Sequence, residues 1–198
     1  MDSSLNLQAR LKRCRPAHLL MGLFFQGTLD HLERLIGSDV TGELRAQVRS
    51  TEKPVLPVLF YPVGDYLKLL QLGAQALVER GRSFSAALDE LGYGTAEALF
   101  ASSMGQMLVV AAEKGPHEGF AELPAVLKMI AIFGAREYQR VDETHGRLSL
   151  RGELQGPSWS TGLLRAVLER VVGGEGTVEV GSETFIPYLD FTLELRWG

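Results

Sequence analysis

The chain is short of the residues that crosslink, ligate or span. Its one cysteine, Cys14, cannot form an intramolecular disulfide, and with four scattered histidines (His18, His31, His117, His145) this usage suits a reducing cytoplasm. Long hydrophobic runs are absent too: the longest, AHLLMGLFF at residues 17–25, falls far short of the ~20 residues that cross a bilayer. Arg10, Lys12, Arg13 and Arg15 precede that run as they would in a secretory signal. The small-residue cleavage site is missing, however, and the apolar spacing continues through Leu29, Leu32 and Ile36, so the run reads as a helix. Charge of one sign is not in excess. Twenty Lys+Arg against 24 Asp+Glu leave a net −4, which excludes both an acidic solvating tail and a strongly basic nucleic-acid binder. Glycine and proline form no low-complexity tract.

What is present is ordinary globular material: 198 residues, 45% apolar and 22% charged, enough for one sizeable core. The first two thirds carry helical spacing. Leu19, Leu20, Leu23, Phe24, Leu29, Leu32, Leu35 and Ile36 share a face, and so do Tyr66, Leu69, Leu70, Gly73, Ala76 and Leu77, with Gly81 placed to stop the helix. Ser83 caps a short helix closed by Gly92, Thr95 caps another, and Pro124 fits a first helical turn. The prolines at 54, 57 and 62 mark an extended connector. In the last third the period changes to two. Residues 147–151 alternate and pair with 136–142 through a turn at His145-Gly146, Pro157 opens a helix ended by Gly173-Gly174, and alternation from Phe185 to Trp197 pairs with Val178 and Val180. The order predicts an α+β fold, with a helical N-terminal two thirds packed on a small C-terminal antiparallel sheet of strand pair, helix and strand pair. It is divided into a basic, flexible segment over residues 1–16 and a single domain over 17–198.

Catalytic motifs fail on spacing. His117-Glu118 begins like the zinc-protease HExxH, but Ala121 stands where the second histidine belongs. The glycines at 173, 174 and 176 follow a helix and precede a strand, the reverse of the order that brings phosphate to a helix N-terminus. Ala101-Ser102-Ser103-Met104-Gly105 resembles a nucleophile elbow without its preceding strand. Asp89-Glu90 and Asp142-Glu143 are adjacent pairs that read as solvated edges. No catalytic residue and no metal ligand set is assigned, and the chain is read as non-enzymatic. The four basic residues near the N-terminus read as a solvated segment. The remaining signal is aromatic. Phe24, Tyr66, Tyr93, Phe100, Met104, Phe133 and Tyr138 lie in or beside apolar helix faces, either as core or as an apolar ligand pocket between helices and sheet, with tyrosine hydroxyls as polar contacts.

GLFFQG (22–27), YPVGDYLKLLQLGAQAL (61–77), ELGYGTAEALFASSMGQML (90–108) and FTLELRW (191–197) resemble an uncharacterised family that occurs as large paralogous sets in fruiting myxobacteria. The resemblance runs from about residue 17 to the end, and its motifs are structural. It implies no reaction and no catalytic residues. More distantly, the order of elements is similar to a fold group of heme-nitric-oxide-binding domains, 4-vinyl-reductase-type domains and vesicle-tethering subunits, which implies a pocket between helices and sheet. The heme branch carries a proximal histidine and a Tyr-x-Ser-x-Arg signature. The nearest piece here, Tyr138-Gln139-Arg140, lacks the serine and the spacing, so no heme and no other cofactor is expected. The resulting expectation is a cytoplasmic domain that senses or carries a small apolar ligand in signalling or regulation. The alternative is a ligand-free interaction module, a homodimer or adaptor that uses its late edge strands and the residue-17 helix.

Overall fold

The computed structural model describes residues 4–183 and 189–198. Helix α1 (Ser4–Leu11) precedes a short strand β1 (Leu19–Met21), which runs directly into α2 (Gly22–Ile36) and then α3 (Ser38–Ala46). The proline-marked connector ends in β2 (Phe60–Pro62). Four helices follow: α4 (Val63–Val78), α5 (Phe84–Ala101), α6 (Ser103–Ala112) and α7 (Pro116–Ile130). The remainder is β3 (Ala131–Ile132), β4 (Ala135–Arg140), β5 (His145–Arg151), α8 (Pro157–Val172), β6 (Gly176–Glu183) and β7 (Phe191–Trp197). This is the α+β order read from the sequence.

The two strand pairs form one antiparallel sheet in the order β4-β5-β7-β6, because β5 pairs with β7 in the register Leu148↔Leu193. On β7 the alternation buries Phe191, Leu193, Leu195 and Trp197, while Thr192, Glu194 and Arg196 take the other face. Residues 184–188, where the predicted alternation began, lie outside the described residues. A second, three-stranded sheet, β2-β1-β3, ties the start of α2 to the start of α4 and the end of α7 through Leu20↔Tyr61 and Leu20↔Ala131.

Several expectations meet a different structure. Leu19 and Leu20 belong to strand β1 and not to the helix, and the β4–β5 turn falls at 141–144, before His145. Residues 84–101 form one helix, not two, because Gly92 and Gly94 are internal contact points. A Cβ on Gly92 would overlap the Trp159 carbonyl, and one on Gly94 would overlap the His31 ring. Helix α7 begins at Pro116, after Gly115 at φ 142°, and so places Pro124 inside the helix and not in its first turn. The basic N-terminal segment is not a solvated tail. Helix α1 buries Leu7 and Arg10, and the Arg10 guanidinium lies against the Gly156 backbone, where an added Cβ would stand 2.5 Å from it.

The closest element contact joins α5 to α8. Gly162 faces α5 so tightly that a Cβ there would overlap the Asp89 carbonyl, while Gly42 in α3 has nothing within 4 Å. Alanine raises helix propensity by ~1 kcal/mol over glycine, but overpacking against backbone costs ~1–3 kcal/mol. Gly162→Ala is therefore expected to lower unfolding free energy by about 1–2 kcal/mol, with Gly42→Ala raising it by up to about 1 kcal/mol. Urea midpoints at unchanged slope read both, and equal effects at the two positions would contradict the tight crossing.

Candidate functional site

The seven sequence-predicted residues separate into four places. Phe24 and Tyr66 are buried in the interior, packed on Trp159 with ring centroids 5.5 and 6.0 Å away. Tyr66 belongs to a buried hydroxyl trio, its oxygen 2.8 Å from that of Thr28, which is 2.9 Å from that of Thr95. Thr95 in turn donates to the Leu91 carbonyl at 2.7 Å. Burial pushes the Tyr66 pKa up to about 12, against the hydrogen bonds from Thr28 and Thr95, so the phenol stays neutral. These hydroxyls satisfy one another and tie α2, α4 and α5 together.

Phe133 is buried beside His18 and under the Arg136 guanidinium, which lies 5.5 Å from its ring centre. Tyr138 closes one end of the large sheet with Phe120, Trp197 and His117. His117 Nε2 is 2.7 Å from the Asp142 carbonyl, which makes it the donor, so Nδ1 accepts from the Tyr138 hydroxyl at 2.6 Å. Burial raises the Tyr138 pKa above the ordinary tyrosine value. Tyr93 and Phe100 face outward, in a groove of about 280 Å³ between α5 and α8 where Tyr93 donates to Glu169 at 2.7 Å. The one pocket expected between helices and sheet is thus not formed by these residues. Of the seven, only Phe24 lines the small cavity left there, beside Trp159.

A cavity of about 20 Å³, room for a single water, remains between α2, α7, β5 and α8. Its walls include a constellation that the sequence did not reveal. Arg136 donates to Glu153 at 2.6 Å with both side chains nine-tenths or more buried, and also to the Phe133 carbonyl at 3.0 Å. Glu153 Oε1, Gln155 Oε1 and Ser160 Oγ have no protein partner among the described residues. The signal available in sequence was slight: a polar GELQGPS connector whose glycines, Gly152 and Gly156, take φ values of 65° and 88°.

Met104 lies elsewhere, on the wall of a groove of about 460 Å³. The start of α2 supplies Met21, Leu23, Gln26 and Asp30, the connector supplies Pro57 and Val58, and the corner between α5 and α6 supplies Ala98, Ala101, Ser102 and Ser103. The local chemistry fixes each part. Gln26 Nε2 donates to the Val55 carbonyl at 2.6 Å and holds the connector on α2. Ser102 caps α6 by accepting from the Gly105 amide at 3.2 Å, and Gly105 admits the Leu99 carbonyl, which its Cβ would overlap. The result is an 89° bend between α5 and α6. The serine at the elbow's nucleophile position, Ser103, is therefore the first residue of α6, and its neighbour Ser102 is the helix cap.

A family model described as "Protein of unknown function (DUF2378)" matches residues 13–197. The chain belongs to that family. No curated protein matches it in sequence. Its fold is similar to the Fe(II) unliganded H-NOX protein from K. algicida, at 14% identity and a TM-score of 0.66 over 89% of this chain and 96% of that one. It is equally similar to an H-NOX protein from S. oneidensis in the Fe(II)NO ligation state, at 14% identity and a TM-score of 0.68 over 89% and 98%. A third structure, from work on heme redox potential and porphyrin distortion, matches at 12% identity and a TM-score of 0.66 over 90% and 100%. At these identities the shared property is the fold.

The expectation that no cofactor is implied is corrected by these structures, since the fold is one in which heme and its iron are described. The walls of the DUF2378 chain give the test of fit. The interior cavity is far smaller than a porphyrin, and none of the four histidines lines it or either groove. His31 is turned to Glu90 at 3.2 Å, His117 to Tyr138, His145 to Glu194 at 2.6 Å, and His18 accepts from the Arg15 amide. In this conformation the residues present do not fit the group. Among the described residues no cluster of three His, Cys, Asp or Glu side chains could hold a metal ion.

The buried pair makes its own prediction. Removing one partner of a buried pair leaves an uncompensated charge, at a cost of about 3–5 kcal/mol, whereas removing both often restores stability. Arg136→Met is expected to lose that amount by urea denaturation, and Arg136→Met with Glu153→Met most of it less. A single variant as stable as the wild type would contradict the pairing.

Proposed function

We propose that the chain is a cytoplasmic, non-enzymatic ligand-sensing domain that takes a small apolar ligand in the groove between α2, the connector and the α5–α6 corner. The groove itself carries the reading. At about 460 Å³ it falls in the range of small-ligand sites, roughly 300–1,000 Å³, with Met21, Leu23, Pro57, Val58, Ala98 and Met104 as apolar walls and Gln26, Asp30, Ser102 and Ser103 as polar contacts. Its three walls come from separate elements, so an occupant bridges them. One wall is the 89° corner, and a ligand seated there biases the angle of α6, which packs on α7. Occupancy is in this way converted into a change of helix position, as a sensor requires. The fold shared with H-NOX proteins supports the reading by analogy.

A fluorescence titration with the neutral apolar probe 1-N-phenylnaphthylamine tests it, with a parallel hemin titration read by absorbance. Saturable probe binding is expected, weakened tenfold or more by Met104→Trp, about 1.4 kcal/mol, at an unchanged melting temperature. Binding indifferent to both Met104→Trp and Val58→Asp would remove the ligand from this groove. Stoichiometric hemin uptake that also ignores these variants would move the site to the interior.

A further inference from the structure

Two segments of the chain carry no charge at all: residues 54–64 (PVLPVLFYPVG) and 98–112 (ALFASSMGQMLVVAA). The fold brings them together, with Pro57 and Val58 facing Ala98, Ala101 and Met104 across the groove. They also hold six of the eleven large apolar residues exposed among the described residues. Leu56, Val58, Leu59 and Phe60 lie on the connector and Met107 and Val110 on α6, with Val58 73% and Val110 59% exposed. Met104, Met107 and Val110 repeat at intervals of three, so they form one stripe that continues outward from the groove wall. The other five exposed apolar residues, Val78, Met129, Ile132, Val141 and Val180, lie on other elements.

We propose that this face binds a second copy of the chain across a two-fold axis, the α6 stripe of each protomer covering the connector and groove of the other. Charge is the deciding argument. A two-fold interface sets residues near its axis against their own copies, so any charge there meets its like. Both segments avoid that penalty along their whole length, and a concave groove beside a projecting stripe supplies both halves of a self-complementary contact. An anionic membrane is disfavoured by the flanks, because such surfaces recruit lysine and arginine. Here the charged groove wall is Asp30, Glu97 and the Glu113-Lys114 pair bound the α6 segment, and Lys53 and Asp65 bound the connector, so no basic cluster gathers at the face. The association goes beyond the ligand reading and does not need an occupied groove, although a second copy would enclose a ligand that one protomer leaves open on one side.

Sedimentation equilibrium of the full chain over about a hundredfold range of concentration tests the proposal. The wild type is expected to move from 21.7 kDa toward twice that mass, while Met107→Glu and Val110→Glu stay at 21.7 kDa and Val78→Glu, on α4, behaves as the wild type. Val58→Glu on the connector is a second route to the same loss, should an α6 variant fail to fold by circular dichroism. Wild-type protein at 21.7 kDa throughout, or dimerisation that survives Met107→Glu and Val58→Glu, overturns the proposal. So does a monomer that cosediments with phosphatidylcholine or phosphatidylserine vesicles. Met107 and Val110 are not groove walls, so at concentrations where the wild type is monomeric their variants leave the probe titration unchanged and the two readings fail separately.

Discussion

The crossing of α5 and α8 is the constraint on which the rest of the molecule depends. Gly92 and Gly162 let the two helix backbones meet without side chains between them, and each glycine faces a backbone carbonyl of the other helix. Mid-helix glycine costs ~1 kcal/mol relative to alanine, so its presence at both contact points favours approach over propensity. The approach brings Trp159 onto Phe24 and Tyr66, and Phe24 and Trp159 line, with Leu148 and Leu150 of the sheet, the space left between helices and sheet. What remains there is a cavity for one water, walled by a buried ion pair and three polar atoms.

That closure bears on the proposed site, since the interior leaves room for one water. Phe24 and Trp159 pack on each other beside the one-water cavity, so the interior leaves no room for a large planar group. At the surface, the connector, α2 and the α5–α6 corner leave a groove about twenty times larger than the interior cavity. The apolar surface lies beside it, on uncharged segments that a monomer in water has no reason to keep bare.

Much of the fold was legible because its signals are local. The period-two run in β7, the helix stop at Gly173 and the proline-marked connector each follow from a few neighbouring residues. The glycines were misread for a physical reason: a glycine that ends a helix and one that admits a neighbouring backbone look alike until the neighbour is known. Arg10 was misread likewise, because its burial depends on Gly156, far along the chain. The site was less legible still. Of the aromatic residues singled out, Phe24, Tyr66 and Phe133 are buried in the core while Tyr93 and Phe100 face outward, and the proposed groove is built from Pro57, Val58, Ala98 and Met104, residues with no distinguishing chemistry that only the 89° corner brings together.

Methyl NMR of the Met, Leu and Val side chains, titrated with 1-N-phenylnaphthylamine, tests most directly whether the interior is closed and the outer groove is the ligand site. Shifts confined to Met21, Met104 and Val58 are the expected result. Shifts at Leu148, Leu163 and Leu164, the walls of the interior cavity, with Met104 unmoved, would contradict it.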